Sequence, residues 1–159
     1  MKLEIVKINK NIDLSEIIKI ENKFNIVFPN DYKSFLLKYN GGKTNEVGFI
    51  NNDKLIDGPL KIMNFYSLNR VVDFIEEIKK KNEDIEEDSD WEYYWEYYAK
   101  ENIIIIADTY SQVFICIGCN KNNFGKIYYK DHDHGEEFVL LANNFTEFLE
   151  GFEFLEEEK

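Results

Sequence analysis

The second half of the chain is divided into short apolar segments that alternate with turn-forming residues. The segments lie at 103–107, 113–118, 126–130 and 137–140, and polar or glycine-containing stretches separate them. Runs of this length that are rich in isoleucine, valine and aromatic residues are typical of β-strands. Because consecutive strands with short connections usually lie side by side, we expect 103–107, 113–118 and 126–130 to be sheet neighbours.

Amphipathic segments with helical spacing flank these strands. They predict helices near 14–24, 29–39, 68–80 and 144–154, and further short strands at 47–50 and 60–65. Asp13 and Glu16 have the spacing of a capping box at the first helix. Pro29 suits the first position of the second helix, and Asn40 with the two glycines after it ends that helix. The pattern predicts an α+β fold, a single domain over 1–159 with a mainly antiparallel mixed sheet packed against helices.

The charge balance limits the classes of partner. The chain has 19 basic and 31 acidic residues, a net charge of −12, and Arg70 is its single arginine. Nucleic acids and anionic membranes need a basic surface, and phosphate recognition favours arginine. We therefore expect neither of these partners but a basic protein.

Two features of the sequence indicate the compartment. Two cysteines form no disulfide framework, which is typical of a reducing cytoplasm. The start of the chain, Met1 to Glu4, lacks the pattern of a signal peptide, and Ile103–Ala107 is too short an apolar run to cross a membrane. We expect a cytoplasmic protein.

Several segments together resemble one protein superfamily. Residues 20–36 read Ile-Glu-Asn-Lys-Phe-Asn-Ile-Val-Phe-Pro-Asn-Asp-Tyr-Lys-Ser-Phe-Leu, and Tyr-Asn-Gly-Gly follows at 39–42. The strand Ile-Ile-Ile-Ile-Ala-Asp at 103–108, the segment Ile-Tyr-Tyr-Lys-Asp-His at 127–132 and Phe-Thr-Glu-Phe-Leu at 145–149 continue the pattern. The order of these segments is similar to that of the SUKH superfamily, from about residue 14 to residue 154.

The resemblance implies a fold and a role. The superfamily includes the fungal cell-wall-synthesis regulator family and many bacterial toxin-immunity proteins, and its members have an α+β domain that binds proteins. The matching residues are scaffold residues in the family, not catalytic ones. In bacteria such domains commonly neutralise a cognate toxin, often a nuclease or a deaminase, inside the producing cell.

An acidic and aromatic stretch at 82–99 is the candidate binding surface. It has eight acidic residues and no lysine or arginine. Most of its other residues are aromatic. We expect the protein-binding residues to be Glu83, Asp84, Glu86, Glu87, Asp88, Asp90, Trp91, Glu92 and Trp95. The alternative is that Trp91, Tyr94, Trp95 and Tyr98 form one face of a helix that packs into the core. Both interpretations hold together if the aromatic residues are buried and the acids are exposed.

Two cysteines and two histidines have part of the spacing of a zinc finger. Cys116 and Cys119 are followed by His132, and twelve residues lie between Cys119 and His132. Only one residue separates His132 from His134, where a finger needs three to five. We therefore expect no metal site. Cys116 is then a small core residue, and both histidines lie in an exposed loop.

Catalysis is also not expected. Asp131 to His134 include acid–base residues, but no nucleophile or phosphate-binding loop accompanies them. We expect a non-enzymatic binding module without catalytic residues or cofactors, most simply an immunity protein that neutralises a basic, nuclease-type toxin. The alternative is a regulatory scaffold that binds an endogenous partner. Abundant isoleucine, asparagine and lysine are typical of an AT-rich bacterial genome, which favours immunity. The toxin and the oligomeric state are not determined by the sequence.

Overall fold

Antiparallel strands form two sheets. The structure, a computed structural model, describes residues 1–51, 53, 56, 58–84, 98–110, 113–131 and 138–156. Its strands are β1 (Ile5–Val6), β2 (Gly42–Thr44), β3 (Val47–Phe49), β4 (Ile62–Phe65), β5 (Ile103–Thr109), β6 (Phe114–Gly118), β7 (Ile127–Lys130), β8 (Val139–Ala142) and β9 (Phe152–Phe154). The main sheet has the order β1-β2-β4-β5-β6-β7-β8, and β3 pairs with β9 in a small second sheet. Every strand pair among the described residues is antiparallel, which confirms the mainly antiparallel sheet that the sequence predicted.

The predicted neighbours in the main sheet are confirmed. β5 pairs with β6, where Ile105 lies opposite Cys116, and β6 pairs with β7, where Cys116 lies opposite Tyr128. The connections between these strands are short, which is why consecutive strands lie side by side. The α+β class is confirmed as well.

Local sequence rules set the first two helices. The helices are α1 (Leu14–Phe24), α2 (Asn30–Tyr39), α3 (Leu68–Asp84) and α4 (Phe145–Glu150), and residues 98–100 are also helical. The predicted capping box is present, since the Asp13 carboxylate accepts the Glu16 N–H and the Glu16 carboxylate accepts the Asp13 N–H. Pro29 is the N-cap of α2 and not its first helical residue. Its extended backbone lies just before the helical region.

Two predicted helix ends differ from the structure. α3 continues to Asp84 instead of ending near 80. Its last turns contain glutamates and lysines, which have a high helix propensity, and no glycine or proline interrupts them. α4 ends at Glu150, and the residues expected to prolong it form β9. Phe152 is buried in the strand. Its helical spacing from Phe145 and Phe148 is therefore not evidence of a helix.

Helices cover both faces of the main sheet. Phe65 of β4 packs against Phe35 of α2, with ring centroids 5.1 Å apart, and Phe35 packs against Phe145 of α4 at the same distance. The next residue, Tyr66, stacks on Phe74 of α3. Because consecutive side chains of an extended chain point to opposite faces, α2 and α4 lie on one face and α3 lies on the other.

Candidate functional site

The predicted binding stretch begins in the last turn of α3. Glu83 is exposed there, and Asp84 is the final helical residue. These two acids were expected in a loop, and the longer helix corrects that expectation. The other predicted binding residues lie outside the described residues: Glu86, Glu87, Asp88, Asp90, Trp91, Glu92 and Trp95.

Tyr98, at the end of the same stretch, is a core residue. Its side chain is buried, its hydroxyl forms a hydrogen bond with the Cys116 thiol, and its ring lies edge-on to Phe138. This is the position that the helical-face interpretation gives to Tyr98. The aromatic residues before it, Trp91, Tyr94 and Trp95, lie outside the described residues.

The two cysteines are separate core residues. Burial raises the pKa of Cys116, and it raises the pKa of Cys119 to about 12. Both thiols therefore stay protonated at neutral pH, the form that neither binds metals nor acts as a nucleophile. Cys116 lies beside Tyr98, whereas the Glu21 carboxylate of α1 adds to the rise in the pKa of Cys119. In the described part of the chain no three His, Cys, Asp or Glu side chains form a metal-binding group.

The histidine segment is described only at its start. Asp131 is partly exposed after β7, and His132 and His134 lie outside the described residues. Burial, followed by the nearby Asp131 carboxylate, raises the pKa of Tyr129. The next residue, Lys130, is buried, with its ammonium group 5.3 Å from the centre of the Phe138 ring.

Glu21 and Asn40 have structural roles. The Glu21 carboxylate is buried at the turn between α1 and α2, where it accepts the Phe28 N–H at 2.8 Å and lies 3.6 Å from the Lys33 ammonium group. The Asn40 side chain is buried at the end of α2, accepts the Leu68 N–H at 2.8 Å and donates to the Lys10 carbonyl at 2.9 Å. Both residues satisfy buried backbone groups, so they belong to the scaffold.

A partly exposed polar group lies where β4 meets β5. One Asp108 oxygen accepts the Tyr66 hydroxyl at 2.9 Å, and the other accepts the Asn64 N–H at 3.1 Å and its side-chain amide at 3.4 Å. Burial, and then the Asp108 carboxylate, raises the pKa of Tyr66. The hydroxyl therefore stays protonated and donates, which fixes the tyrosine ring against the sheet.

An arginine lies over the aromatic rings beside this group. The Arg70 guanidinium carbon is 4.2 Å from the centre of the Phe74 ring and 5.9 Å from that of Tyr66. Tyr66 and Phe74 are stacked 5.3 Å apart, and Phe114 of β6 contacts Phe74 edge-on at 5.7 Å. We call these six residues the Arg70 cluster: Asn64, Tyr66, Arg70, Phe74, Asp108 and Phe114.

Sequence analysis did not identify the Arg70 cluster. Arg70 and Phe74 are four residues apart on a predicted helix, the spacing at which such side chains meet, and this was the one available indication. Tyr66 and Asp108 are 42 residues apart in the chain. The pairing of β4 with β5 brings them together, and no local sequence pattern indicates that pairing.

The sequence of the chain matches the model of a known protein family. The model of the SMI1 / KNR4 family (SUKH-1) matches residues 11–151. The chain belongs to this SUKH family. The match covers the α+β domain described above, and it confirms the resemblance that the sequence motifs indicated. A search of curated proteins found no match to the SUKH chain. Among the described residues of this SUKH protein, no helix has the length and apolar character to cross a membrane.

Proposed function

We propose that this SUKH protein is a non-enzymatic, cytoplasmic protein-binding module that acts as an immunity protein. Its partner is a basic toxin domain of the kind that attacks nucleic acid. Membership of the SUKH family supports a protein-binding role. The net charge of −12 supports a basic partner, because complementary charge accelerates encounter and disfavours acidic competitors.

The placement of charge is the observation that carries the proposal. Among the described residues, Glu21 and Lys130 are the buried charged side chains, and the others reach solvent at least in part. Charged side chains are seldom buried, so we infer that the excess of acids is also on the surface, where it can act on a partner. A toxin that cleaves or modifies nucleic acid presents a basic cleft to phosphates. An acidic surface competes for that cleft.

A regulatory scaffold is the second candidate. The matching family model is that of SMI1 and KNR4, and the resemblance to cell-wall-synthesis regulators favours an endogenous partner equally. In that case no toxin is involved. The genetic neighbourhood separates the two candidates, because an immunity gene lies beside the gene of its toxin.

The test is co-expression with the C-terminal domain of a large secreted protein encoded next to this gene. We expect that domain to stop growth when it is expressed alone. The SUKH protein should restore growth, co-purify with the domain and bind it more slowly as salt is added. Neither rescue nor co-purification would exclude the immunity role and leave the regulatory one. A mixture with a secreted domain from an unrelated locus serves as the control.

A further inference from the structure

We propose that the Arg70 cluster is the contact surface that orients the partner, and that Arg70 binds a carboxylate of an aspartate or glutamate on that partner. This inference rests on the proposed function, because it names a surface for the same protein partner. It adds a short-range contact to the long-range attraction that the acidic surface provides.

The donors of Arg70 are available to a partner. The Arg70 side chain is 47% exposed, and its nearest carboxylate oxygen, on Glu77, lies 4.0 Å away, beyond hydrogen-bonding distance. Within the described residues, the guanidinium group has ring contacts but no side-chain hydrogen bond. A guanidinium group has five N–H donors in a planar fork that matches a carboxylate. The two rings and the ion pair with Glu77 leave the N–H donors of this fork without a side-chain hydrogen bond to a described residue.

The surface beneath Arg70 is held rigidly. Asp108 fixes the Tyr66 hydroxyl at 2.9 Å, Tyr66 stacks on Phe74, and Phe74 contacts Phe114. Tyr66 directly follows β4, Phe74 belongs to α3 and Phe114 to β6, so three parts of the fold support one side chain. A preorganised side chain loses little conformational entropy on binding. Arginine and tyrosine are also enriched among the residues that dominate interface energy.

The charge of the surroundings explains why a carboxylate is the expected group. Asp73, Glu76 and Glu77 are exposed on the same helix as Arg70 and repel any acidic group of a partner. Arg70 is the one arginine of the chain, and its guanidinium group is a positive charge beside these acids. An acidic residue of a partner can pair with any exposed lysine, but the chain offers the planar, two-donor geometry of a guanidinium group in one position only. That requirement fixes the orientation of the complex.

The experiment compares Arg70→Ala and Arg70→Lys with a matched control, Lys43→Ala. Lys43 is an exposed lysine of β2, so its replacement removes the same unit of charge. Binding to the neighbouring toxin domain is measured by the rates of association and dissociation. We expect Arg70→Ala to raise the dissociation rate about tenfold or more, as for a hot-spot residue, with a small change in the association rate. Arg70→Lys should recover less than half of the lost binding free energy, because it keeps the charge but not the planar fork.

A scan of the partner identifies the other half of the contact. Each exposed aspartate or glutamate of the toxin domain is replaced by alanine and combined with Arg70→Ala. One of these residues should show an effect that is not additive with Arg70→Ala. If both Arg70 variants dissociate at the wild-type rate, or if no acid of the partner couples to Arg70, the inference is wrong and the immunity role stands. If the wild-type protein does not bind the domain at all, the immunity role and this inference both fail.

Discussion

Asn25 and Asn40 end α1 and α2 with nearly the same left-handed backbone, at φ 52° and 48°. Their side chains differ. Asn25 is exposed and has no side-chain hydrogen bond to a described residue, whereas Asn40 is buried and joins α2, the start of α3 and the segment before α1. The two positions therefore separate the conformational role of a C-cap asparagine from its bonding role.

We predict that Asn40→Gly lowers the free energy of unfolding by about 1–3 kcal/mol, the cost of leaving a buried backbone group unsatisfied. Glycine adopts the left-handed conformation without strain, so the loss reports on the hydrogen bonds to Leu68 and Lys10. The matched variant Asn25→Gly should change the free energy by less than about 0.5 kcal/mol. Urea unfolding measures both. Equal effects at the two positions would show that the Asn40 side chain contributes no stability.

At the level of elements, the last helix, α4, is followed by the strand β9. Gly151 follows α4, and a Cβ atom at that position would lie 2.4 Å from the Phe49 ring. The chain passes close to Phe49 there, and the strand that follows pairs with β3, with Phe152 opposite Phe49. Phe152 is buried, whereas Phe154, on the same face at the end of β9, is 64% exposed. A helix over 144–154 does not allow this pairing.

We predict that Phe152→Ala lowers the free energy of unfolding by about 3–5 kcal/mol, as expected for a buried phenylalanine. Phe152 contacts Phe49 and Phe148, with ring centroids at 5.6 and 5.2 Å. Phe154→Ala, two residues along the same strand, should cost less than about 0.5 kcal/mol. The same unfolding measurement compares them. A loss for Phe154→Ala as large as that for Phe152→Ala would contradict the exposure of Phe154 at the end of β9.

At the level of the whole molecule, two kinds of interaction act at different distances. In the proposed complex the net negative charge affects encounter, since its field extends about 10 Å in 0.1 M salt. The Arg70 cluster acts only after contact and therefore affects dissociation. Charge reversal and Arg70 replacement are thus expected to change different rate constants.

We predict that reversing Glu86, Glu87 and Asp88 to lysine slows association with the toxin domain about tenfold or more at low salt and weakens its salt dependence. The matched control reverses Glu46, Glu150 and Glu156, which are exposed and alter the net charge equally. It should slow association less, because the attraction depends on where the charge lies. Stopped-flow mixing measures the rates, and circular dichroism checks folding. If the first variant associates at the wild-type rate, the acidic stretch is only solvated and the binding face lies elsewhere.

Features that depend on neighbouring residues could be predicted from local patterns in the chain. The capping box at Asp13 and Glu16 gave α1 its start, and the strands at 103–107, 113–118 and 126–130 became β5, β6 and β7. Hydrogen bonds three or four residues apart, turn residues and alternating apolar residues specify such elements locally. The composition also shows directly that the chain is acidic and has a single arginine.

The tertiary structure alone decided what distant residues do together. Phe152 follows the spacing of a helix, yet pairing with β3 makes it part of a strand, because a ladder with a distant segment outweighs local periodicity. Asp108 reaches Tyr66 only because β4 and β5 are neighbours, and Arg70 lies over a ring that this contact fixes. Contacts between residues far apart in the chain depend on how the sheet and helices pack, which no local pattern encodes.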